Sequence, residues 1–379
     1  MLFTLKNALR INLINMPGWR TNRKILVFES DDWGSIRMPS KEVYTSLLNN
    51  GIVVNKSKYD QLDCLENRED LEALFQLLKQ YKDYTGNHPK FTFNTVMGNP
   101  DFEKMKDASY QTYFYETFFD SYKNYHKEDL APLWFEGIAK GFLVPQFHAK
   151  EHFNVGLLMH DIASGNKEAR IAFEQGFFGL KTQTSSVHQK SYLAAYYATN
   201  PEELKQRVAV LKEGLSLFES VFGFKSETFI ACNYVWPKEL EFYLNQYGVK
   251  GIQGNYTQKR PVLEKEGKLK LIRNYTGKRN EYDQVYTVRN VKFEPFENQH
   301  YDWVASAMKE IEIAFRYQKP AIIGTHRVNY VGGMSPPNAT DSRNKLTILL
   351  QSLLTRWPDV EFMSSNELVG LLQNENNER

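Results

Sequence analysis

The stretch "PQFHAKEHFN" places two histidines four positions apart, His148 and His152, with Glu151 between them. On a helical turn, residues with this spacing face the same side and are close enough to share a metal ion. The spacing also fits a protease pattern in which both histidines lie on a long helix and the glutamate is the general base. Pro145, in the apolar run just upstream, disfavours a helix that continues through the motif. This disfavours the protease helix and leaves two alternatives, another metal site or, as is more common for such a pair taken alone, two solvated or structural histidines.

Polar side chains also follow other apolar runs of the sequence. Asp31 and Asp32 come after "ILVF", Asn233 after "TFIAC", and His326 after "AIIG" and one threonine. Because the carboxyl ends of parallel strands meet at one edge of a sheet, we expect these side chains to converge on one pocket. Two imidazoles and one carboxylate are a common ligand set for a catalytic Zn²⁺, and a second carboxylate can accept a proton. Taken singly, an Asp pair is ordinary in a loop or cap, and His326 could be a core histidine.

Short apolar runs alternate with helical patterns, which predicts strand–helix units around a largely parallel sheet or barrel. The candidate strands are residues 24–28, 90–96, 141–147, 227–232, 249–254, 321–326 and 360–364. An aromatic-rich segment at about 101–138 predicts a helical insert. A second segment at about 255–300, rich in charge, Gly and Tyr, predicts an inserted hairpin or long loop. We expect a single domain over residues 1–379.

Composition excludes several classes of protein. The 379 residues are 42% hydrophobic and 24% charged, which is enough for a substantial core. A formal net charge of +2 without a long Lys/Arg run does not favour a nucleic-acid partner. Cys64 and Cys232 are the only cysteines, which excludes a disulfide scaffold. Because neither a secretory signal nor a membrane span is recognisable, we expect a cytoplasmic protein without stable membrane insertion.

As a set, four stretches resemble the motifs of the polysaccharide deacetylase family, the chitooligosaccharide deacetylase-like carbohydrate esterases. They are "VFESDDWGS", "GIAKGFLVPQFHAKEHFNVG", "YDWVAS" and "AIIGTHR", and the likeness extends in order from about residue 24 to 372. The resemblance implies a distorted (β/α) barrel of about seven parallel strands that binds a divalent metal, expected to be zinc. It also implies metal-dependent removal of acetyl groups, N-acetyl in the first place, from an acetylated polysaccharide or oligosaccharide.

The resemblance further implies a role for each matching residue. Asp31 would be the general base, His326 the general acid, and Asp302 the carboxylate that raises the pKa of His326. The metal ligands would be Asp32, His148 and His152. The expected substrate-binding residues are Trp33, Asn233, Tyr234, Trp303 and Arg327. Backbone N–H groups near Asn233 and Tyr234 are expected to hold the oxyanion.

Two departures from the family pattern leave alternatives open. Trp33 intrudes into the family's Asp-Asp-Gly loop. No arginine stands between Phe229 and Pro237, where the family carries an Arg-x-Pro motif whose arginine orients the catalytic aspartate. One hypothesis is that Arg327 or Arg37 substitutes from another loop. The missing arginine keeps open a catalytically inactive carbohydrate-binding barrel, and a metal-dependent amidase acting on a small non-sugar amide would use the same residues.

Overall fold

The computed structural model describes residues 5–181, 191–263, 265 and 267–374. The strands are β1 (Lys24–Trp33), β2 (Phe91–Val96), β3 (Gly98–Pro100), β4 (Tyr115–Thr117), β5 (Leu143–Ala149), β6 (Thr228–Ile230), β7 (Gly251–Gly254), β8 (Thr257–Pro261), β9 (Leu269–Arg273), β10 (Val285–Val288), β11 (Val291–Lys292), β12 (Ala321–His326) and β13 (Val360–Met363). All seven candidate strands of the sequence are among them, and they alternate with helices as predicted.

The helices are α1 (Leu5–Asn15), α2 (Lys41–Asn49), α3 (Lys58–Leu62), α4 (Arg68–Leu78), α5 (Phe102–Asp107), α6 (Phe118–His126), α7 (Ala131–Ala139), α8 (Val155–Ala163), α9 (Lys167–Glu174), α10 (Pro201–Phe222), α11 (Leu240–Gln246), α12 (Trp303–Arg316), α13 (Pro336–Arg356) and α14 (Ser365–Asn374). Short 3₁₀ helices cover Cys232–Tyr234, Pro295–Glu297 and Arg327–Asn329. Among the helices of the described residues, none is long and apolar enough to cross a membrane.

The main sheet is parallel and curls into a barrel, which confirms the predicted fold class. Its strands follow the order β10-β7-β6-β5-β2-β1-β12-β11, and β13 pairs with the first half of β1. β10 and β11 lie at opposite ends of this order but are consecutive in the chain. Arg289 and Asn290, the two residues between them, therefore connect the two edges of the sheet. The central strand β1 is buried along nearly its whole length, as expected for a parallel strand covered on both faces.

The two segments expected as inserts have different structures. Residues 101–138 contain α5, β4, α6 and α7, and the rings of Phe118, Tyr122 and Trp134 are buried in the largest core cluster. Trp134 packs edge-to-face on Phe93 of β2, with 5.5 Å between the ring centroids. Within 255–300, β8 and β9 form an antiparallel hairpin, whereas β10 and β11 belong to the barrel. These two barrel strands are the ones that the sequence did not predict.

The closing strand β11 is attached to helix α12 through a buried carboxyl group. The backbone N–H of Lys292 donates to Oε2 of Glu310 on α12 over 2.7 Å. Glu310 is buried, and this burial raises its pKa to about 7, although the Lys292 N–H and the charge of Arg10 act in the opposite direction. Glu310 is therefore partly protonated near neutral pH in the folded protein.

Glu310 makes the stability of the protein depend on pH in a defined window. Because the folded state holds this proton more tightly, the free energy of unfolding falls as the pH rises from about 4.5 to about 7. The Glu310→Gln variant keeps an oxygen that accepts from Lys292 and has no charge to bury. We expect denaturant unfolding to show similar stability at pH 5 and a more stable variant at pH 8, by up to roughly 3 kcal/mol.

The matched control is Glu312→Gln on the same helix, whose side chain is 36% exposed. It should follow the wild-type pH dependence closely. Equal pH profiles for wild type and Glu310→Gln would show that Glu310 is ionised throughout this range and would contradict the assignment.

Candidate metal and catalytic site

The carboxyl ends of β1, β5, β6 and β12 meet at one cavity of about 220 Å³. The structure brings together there the five residues on which the sequence-based site depends: Asp31, Asp32, His148, His152 and His326. Adjacent residues of a regular strand point to opposite faces, so a special backbone is needed for both aspartates to reach one cavity. Asp32 has this special backbone, with a φ of 77°. It lies in the part of β1, between Ser30 and Trp33, where the pairing with β2 shifts register.

The two histidines do not lie on a helix, so the expected helical turn is wrong. His148 belongs to β5 and His152 to the bend after that strand. Their ring centroids are nevertheless only 4.9 Å apart. Because neither histidine lies on a helix, the structure agrees with the expectation against a protease-like motif.

Three potential ligand atoms face one another in this cavity. Oδ1 of Asp32 is 3.0 Å from Nε2 of His152 and 3.4 Å from Nε2 of His148. Nδ1 of His148 lies 2.8 Å from the carbonyl oxygen of Ile230, to which it donates, so in the neutral ring that binds a metal Nε2 would carry a lone pair towards Asp32. Oδ1 of Asp32 is buried and accepts no hydrogen bond of good geometry. Buried lone pairs at this separation fit a divalent cation between them, with ligand types that suit zinc.

Cys232 is a fourth group at this place that the sequence analysis left without a function. Its Sγ lies 3.8 Å from Nε2 of His148, and the ligand atoms of Cys232, His148 and His152 are all within 4.8 Å of one another. The sequence did contain a sign that Cys232 could belong to the site. It ends the apolar run "TFIAC", just as the other site residues follow apolar runs.

Asp31 is held by an arginine that sequence reasoning missed. Arg289, between β10 and β11, donates from Nη1 and Nη2 to the two carboxylate oxygens of Asp31 over 2.7 and 2.6 Å, and from Nε to Glu29 over 2.8 Å. Asn94 donates to Asp31 as well, over 2.7 Å. Burial would raise the pKa of Asp31, but Arg289, together with His326 and His148, outweighs it and holds this pKa below its usual value. Asp31 is therefore ionised at neutral pH.

The hypothesis that Arg327 or Arg37 replaces the family's arginine is wrong. Arg327 is fully buried and pairs with Asp63 and Glu66, at 3.0 and 2.6 Å, so it is not a substrate-binding residue. Arg37 lines the cavity but pairs with Asp60 over 2.9 Å. Arg289 lies within the segment that we expected to be an insert. The short apolar run "VYTV" before it was the signal for a further strand end.

His326 pairs with Glu294 and not with Asp302 as expected. Its Nδ1 lies 2.5 Å from Oε1 of Glu294, and its Nε2 lies 3.5 Å from Oδ2 of Asp31. Burial alone would lower the pKa of His326, but the carboxylate of Glu294 raises it to about 9. Asp302 is exposed and caps α12 by accepting from the N–H of Ala305. A cap is the ordinary role of an Asp that directly precedes a helix.

Both tryptophans expected at the substrate are packing residues. Trp33 is fully buried and stacks on Phe93 with 3.7 Å between the ring centroids. Trp303 is buried and donates from Nε1 to the carbonyl oxygen of Asn298 over 2.9 Å. Large aromatic rings gain most from complete burial, which explains why both are found in the core.

Asn233 and Tyr234 lie at the cavity, in left-handed conformations with φ of 56° and 57°. The backbone N–H of Tyr234 donates to the carbonyl oxygen of Ala231 over 2.9 Å, so it is not available for an oxyanion as expected. The phenol oxygen of Tyr234 accepts from Nη1 of Arg289 over 3.1 Å. Tyr234 therefore contributes its side chain to the wall of the site.

No model of a known protein family matches this sequence, and no curated protein matches it. Similar solved structures include a 4-α-glucanotransferase of Thermococcus litoralis, with 9% identity and a TM-score of 0.47 over 92% of this chain and 40% of that one. A protein of Mycobacterium smegmatis assigned as a polysaccharide deacetylase has 9% identity and a TM-score of 0.45, over 95% and 94% of the two chains. A family 4 acetyl xylan esterase of Clostridium thermocellum, solved with a cobalt ion, has 12% identity and a TM-score of 0.33, over 92% and 91%.

Several of the similar structures carry the name of polysaccharide or peptidoglycan deacetylases. This chain spans less than half of the glucanotransferase. These low identities and TM-scores say nothing about the activity of this protein, which must be inferred from the residues of its site.

The position of Arg327 leads to a prediction about stability. Arg327→Met would leave the buried carboxylates of Asp63 and Glu66 without their cation, which should lower the free energy of unfolding by about 3–5 kcal/mol. The control Arg68→Met removes exposed pairs with Glu72 and Glu128 and should change the free energy of unfolding very little. Denaturant unfolding measures both. An unchanged stability of Arg327→Met would mean that the buried pairs do not form.

The pairing of His326 leads to a prediction about its pKa. Glu294→Gln removes the negative charge but keeps an oxygen that can accept from Nδ1, so the pKa of His326 should fall from about 9 towards its ordinary 6.5. Histidine NMR titration of the metal-free protein measures this change. The control is Glu297→Gln, because Glu297 pairs with Lys292 and should leave the pKa of His326 in place. A pKa that does not move in Glu294→Gln would contradict the assignment of Glu294.

Proposed function

We propose that this protein is a metal-dependent hydrolase that removes acetyl groups, N-acetyl in the first place, from a polysaccharide or oligosaccharide. One observation carries the proposal: two carboxylates and three imidazoles from distant parts of the chain line one cavity at the carboxyl edge of a barrel. This arrangement supplies a metal-binding group, a proton acceptor and a proton donor within one small volume. A reaction that adds water to an acyl group and releases an amine or alcohol needs these three functions.

Asp32, His148 and His152 would hold the ion. There the ion would supply Lewis-acid chemistry for an acyl group and for water. His148 is oriented for this role by the hydrogen bond of its Nδ1 to Ile230, which directs Nε2 into the cavity. The left-handed backbone of Asp32 directs its carboxylate to the same point.

Asp31 would accept the proton of the attacking water. Its carboxylate is ionised because Arg289 binds both of its oxygens, and the ionised form is the one that accepts a proton. The same arginine fixes the carboxylate in one orientation, which reduces the reorganisation needed during the reaction. Arg289 would therefore be a positioning residue in the place of the family's missing arginine.

His326 would donate a proton to the departing group. The pairing with Glu294 keeps its imidazole protonated at neutral pH, and Nε2 faces Asp31 across the cavity. An amine leaves far more readily when its nitrogen is protonated, so a protonated imidazole here favours an amide substrate. Ester hydrolysis could use the same groups, and substrates of both kinds separate the two.

A second, larger cavity offers room for a sugar chain. Its volume is about 510 Å³, and it shares Tyr234 and His326 with the first cavity. Its wall includes Asn255, Tyr256 and Lys259, side chains able to stack on sugar rings or to hydrogen-bond to hydroxyl groups. An acetylated glycan lying in this cavity could present one acetyl group to Asp31 and His326.

The proposal predicts different consequences for two substitutions. His326→Ala should retain the metal and lose release of acetate from chitooligosaccharides at least 100-fold, because only the proton donor is removed. Asp32→Asn should lose both the metal and the activity. Elemental analysis and an acetate assay measure the two properties, and an O-acetylated xylan tests ester substrates in parallel.

Three results would contradict the proposal. Glycan binding without acetate release in the zinc-loaded wild type would favour the catalytically inactive barrel, although Arg289 now weakens the reason for that alternative. Release of acetate from small non-sugar amides alone would favour the amidase. Equal loss of metal and turnover in His326→Ala would mean that His326 is a ligand and not the proton donor.

A further inference from the structure

We propose that Cys232 is an additional ligand of the metal ion, so that a thiolate joins Asp32, His148 and His152. This inference rests on the metal site of the proposed function and specifies its chemistry. The family resemblance gives no reason to expect sulfur at this position, because an arginine motif stands there in the family. The inference comes from the position of Cys232 in the folded chain.

Three of the separations between potential ligand atoms are close to those of a shared zinc ion. With Zn–N near 2.0–2.1 Å and Zn–S near 2.3 Å, the two ligand atoms of a tetrahedral site lie about 3.5 Å apart. The observed separation of Sγ of Cys232 and Nε2 of His148 is 3.8 Å. For a carboxylate oxygen and an imidazole nitrogen the same calculation gives about 3.4 Å, and Oδ1 of Asp32 lies 3.4 Å from His148 and 3.0 Å from His152.

The burial of Cys232 distinguishes a ligand from a nucleophile. Its side chain is completely buried, and among the described residues its neighbours Ala231 and Asn233 line the catalytic cavity while Cys232 does not. A nucleophilic sulfur must be reached by the substrate. A metal ligand needs only to reach the ion. A thiolate outside the cavity wall would leave the cavity itself free for the substrate.

The backbone around Cys232 is built to hold the sulfur in this place. Cys232 begins a 3₁₀ turn in which the N–H of Val235 donates to its carbonyl oxygen over 3.2 Å. Two residues earlier, the carbonyl oxygen of Ile230 accepts from Nδ1 of His148. One short segment therefore orients a histidine ligand and carries the sulfur, as expected of groups that support a metal site.

A sulfur ligand narrows the choice of metal. Thiolate and imidazole together favour Zn²⁺, and Co²⁺ as its spectroscopic substitute, over Mg²⁺, Ca²⁺ or Mn²⁺, which prefer oxygen. Cys232 would add a soft ligand to the histidines and Asp32, and the lined cavity would remain the side from which a substrate approaches. The inference thus assigns this centre to the zinc class.

Cobalt substitution tests the inference directly. The full chain is loaded with Co²⁺, its metal content is measured by elemental analysis, and its near-ultraviolet absorption is recorded. We expect about one ion per chain and an intense thiolate-to-cobalt charge-transfer band in the wild type. In Cys232→Ser the band should disappear while most of the cobalt remains, because Asp32, His148 and His152 are intact.

Cys64→Ala is the matched control, since Cys64 is the only other cysteine. Cys64 is buried in a separate cluster beside Gly333, and its removal should leave the band unchanged. If Cys232→Ser does not fold, the spectrum of Cys64→Ala alone decides the question, because Cys232 is then the only thiol in the protein.

The outcomes separate this inference from the proposed function. Bound cobalt without the band in the wild type, or a band that survives in Cys232→Ser, would overturn the sulfur ligand and leave the metal-dependent hydrolase intact. A wild-type protein that binds no cobalt or zinc would overturn both proposals. The expected band with no acetate release from any substrate would support the ligand and reject the hydrolase.

Discussion

Arg289 links the segment that joins the two edges of the sheet to the residues of the candidate site. It lies between β10 and β11, where the chain joins the two edges of the sheet, and donates to Glu29 and Asp31 of the central strand β1. A buried guanidinium is acceptable only with its charge paired, and the two buried carboxylates equally require a cation. The same hydrogen bonds thus hold the closing segment against β1 and fix the carboxylate that we propose as the base. A change at either end would disturb both the fold and the site.

The partners of the cavity residues come from elements other than those that the sequence-based expectation named. Arg289 binds Asp31, for which the resemblance implied an arginine after β6, and Glu294 binds His326, for which it implied Asp302. In a buried environment, Asp31 and His326 each need a group of opposite charge within hydrogen-bonding distance. Any element of the fold that places such a group there can meet this need. The segment after β6 contains no arginine but carries Cys232, whose sulfur lies close to the two histidines.

The buried charged residues near the site form two separate networks of ion pairs with different structural roles. The cluster of Arg327, Asp63 and Glu66 lies outside the catalytic cavity, and Glu66 accepts from the N–H of Gly34, in the turn directly after Asp32. This network supports the loop from behind, while Arg289 and Glu294 contact the groups that face the cavity. A network of paired, fully hydrogen-bonded charges is rigid because leaving any member unpaired is costly. Rigidity behind the aspartates preserves the short distances on which the proposed metal site depends.

The sequence by itself determined the alternation of strands and helices, a largely parallel sheet or barrel and the polar residues at strand ends, since an apolar run and the residues directly after it are local properties of the chain. It also selected Asp31, Asp32, His148, His152 and His326, which the fold brings to one cavity. Only the tertiary structure decided their partners. Arg289 binds a residue 258 positions away, and His148 approaches a sulfur 84 positions away, so no spacing in the chain reveals either contact. Only packing decided that Trp33 and Trp303 lie in the core and not at the substrate. A large ring at the end of a strand or the start of a helix can occupy either place.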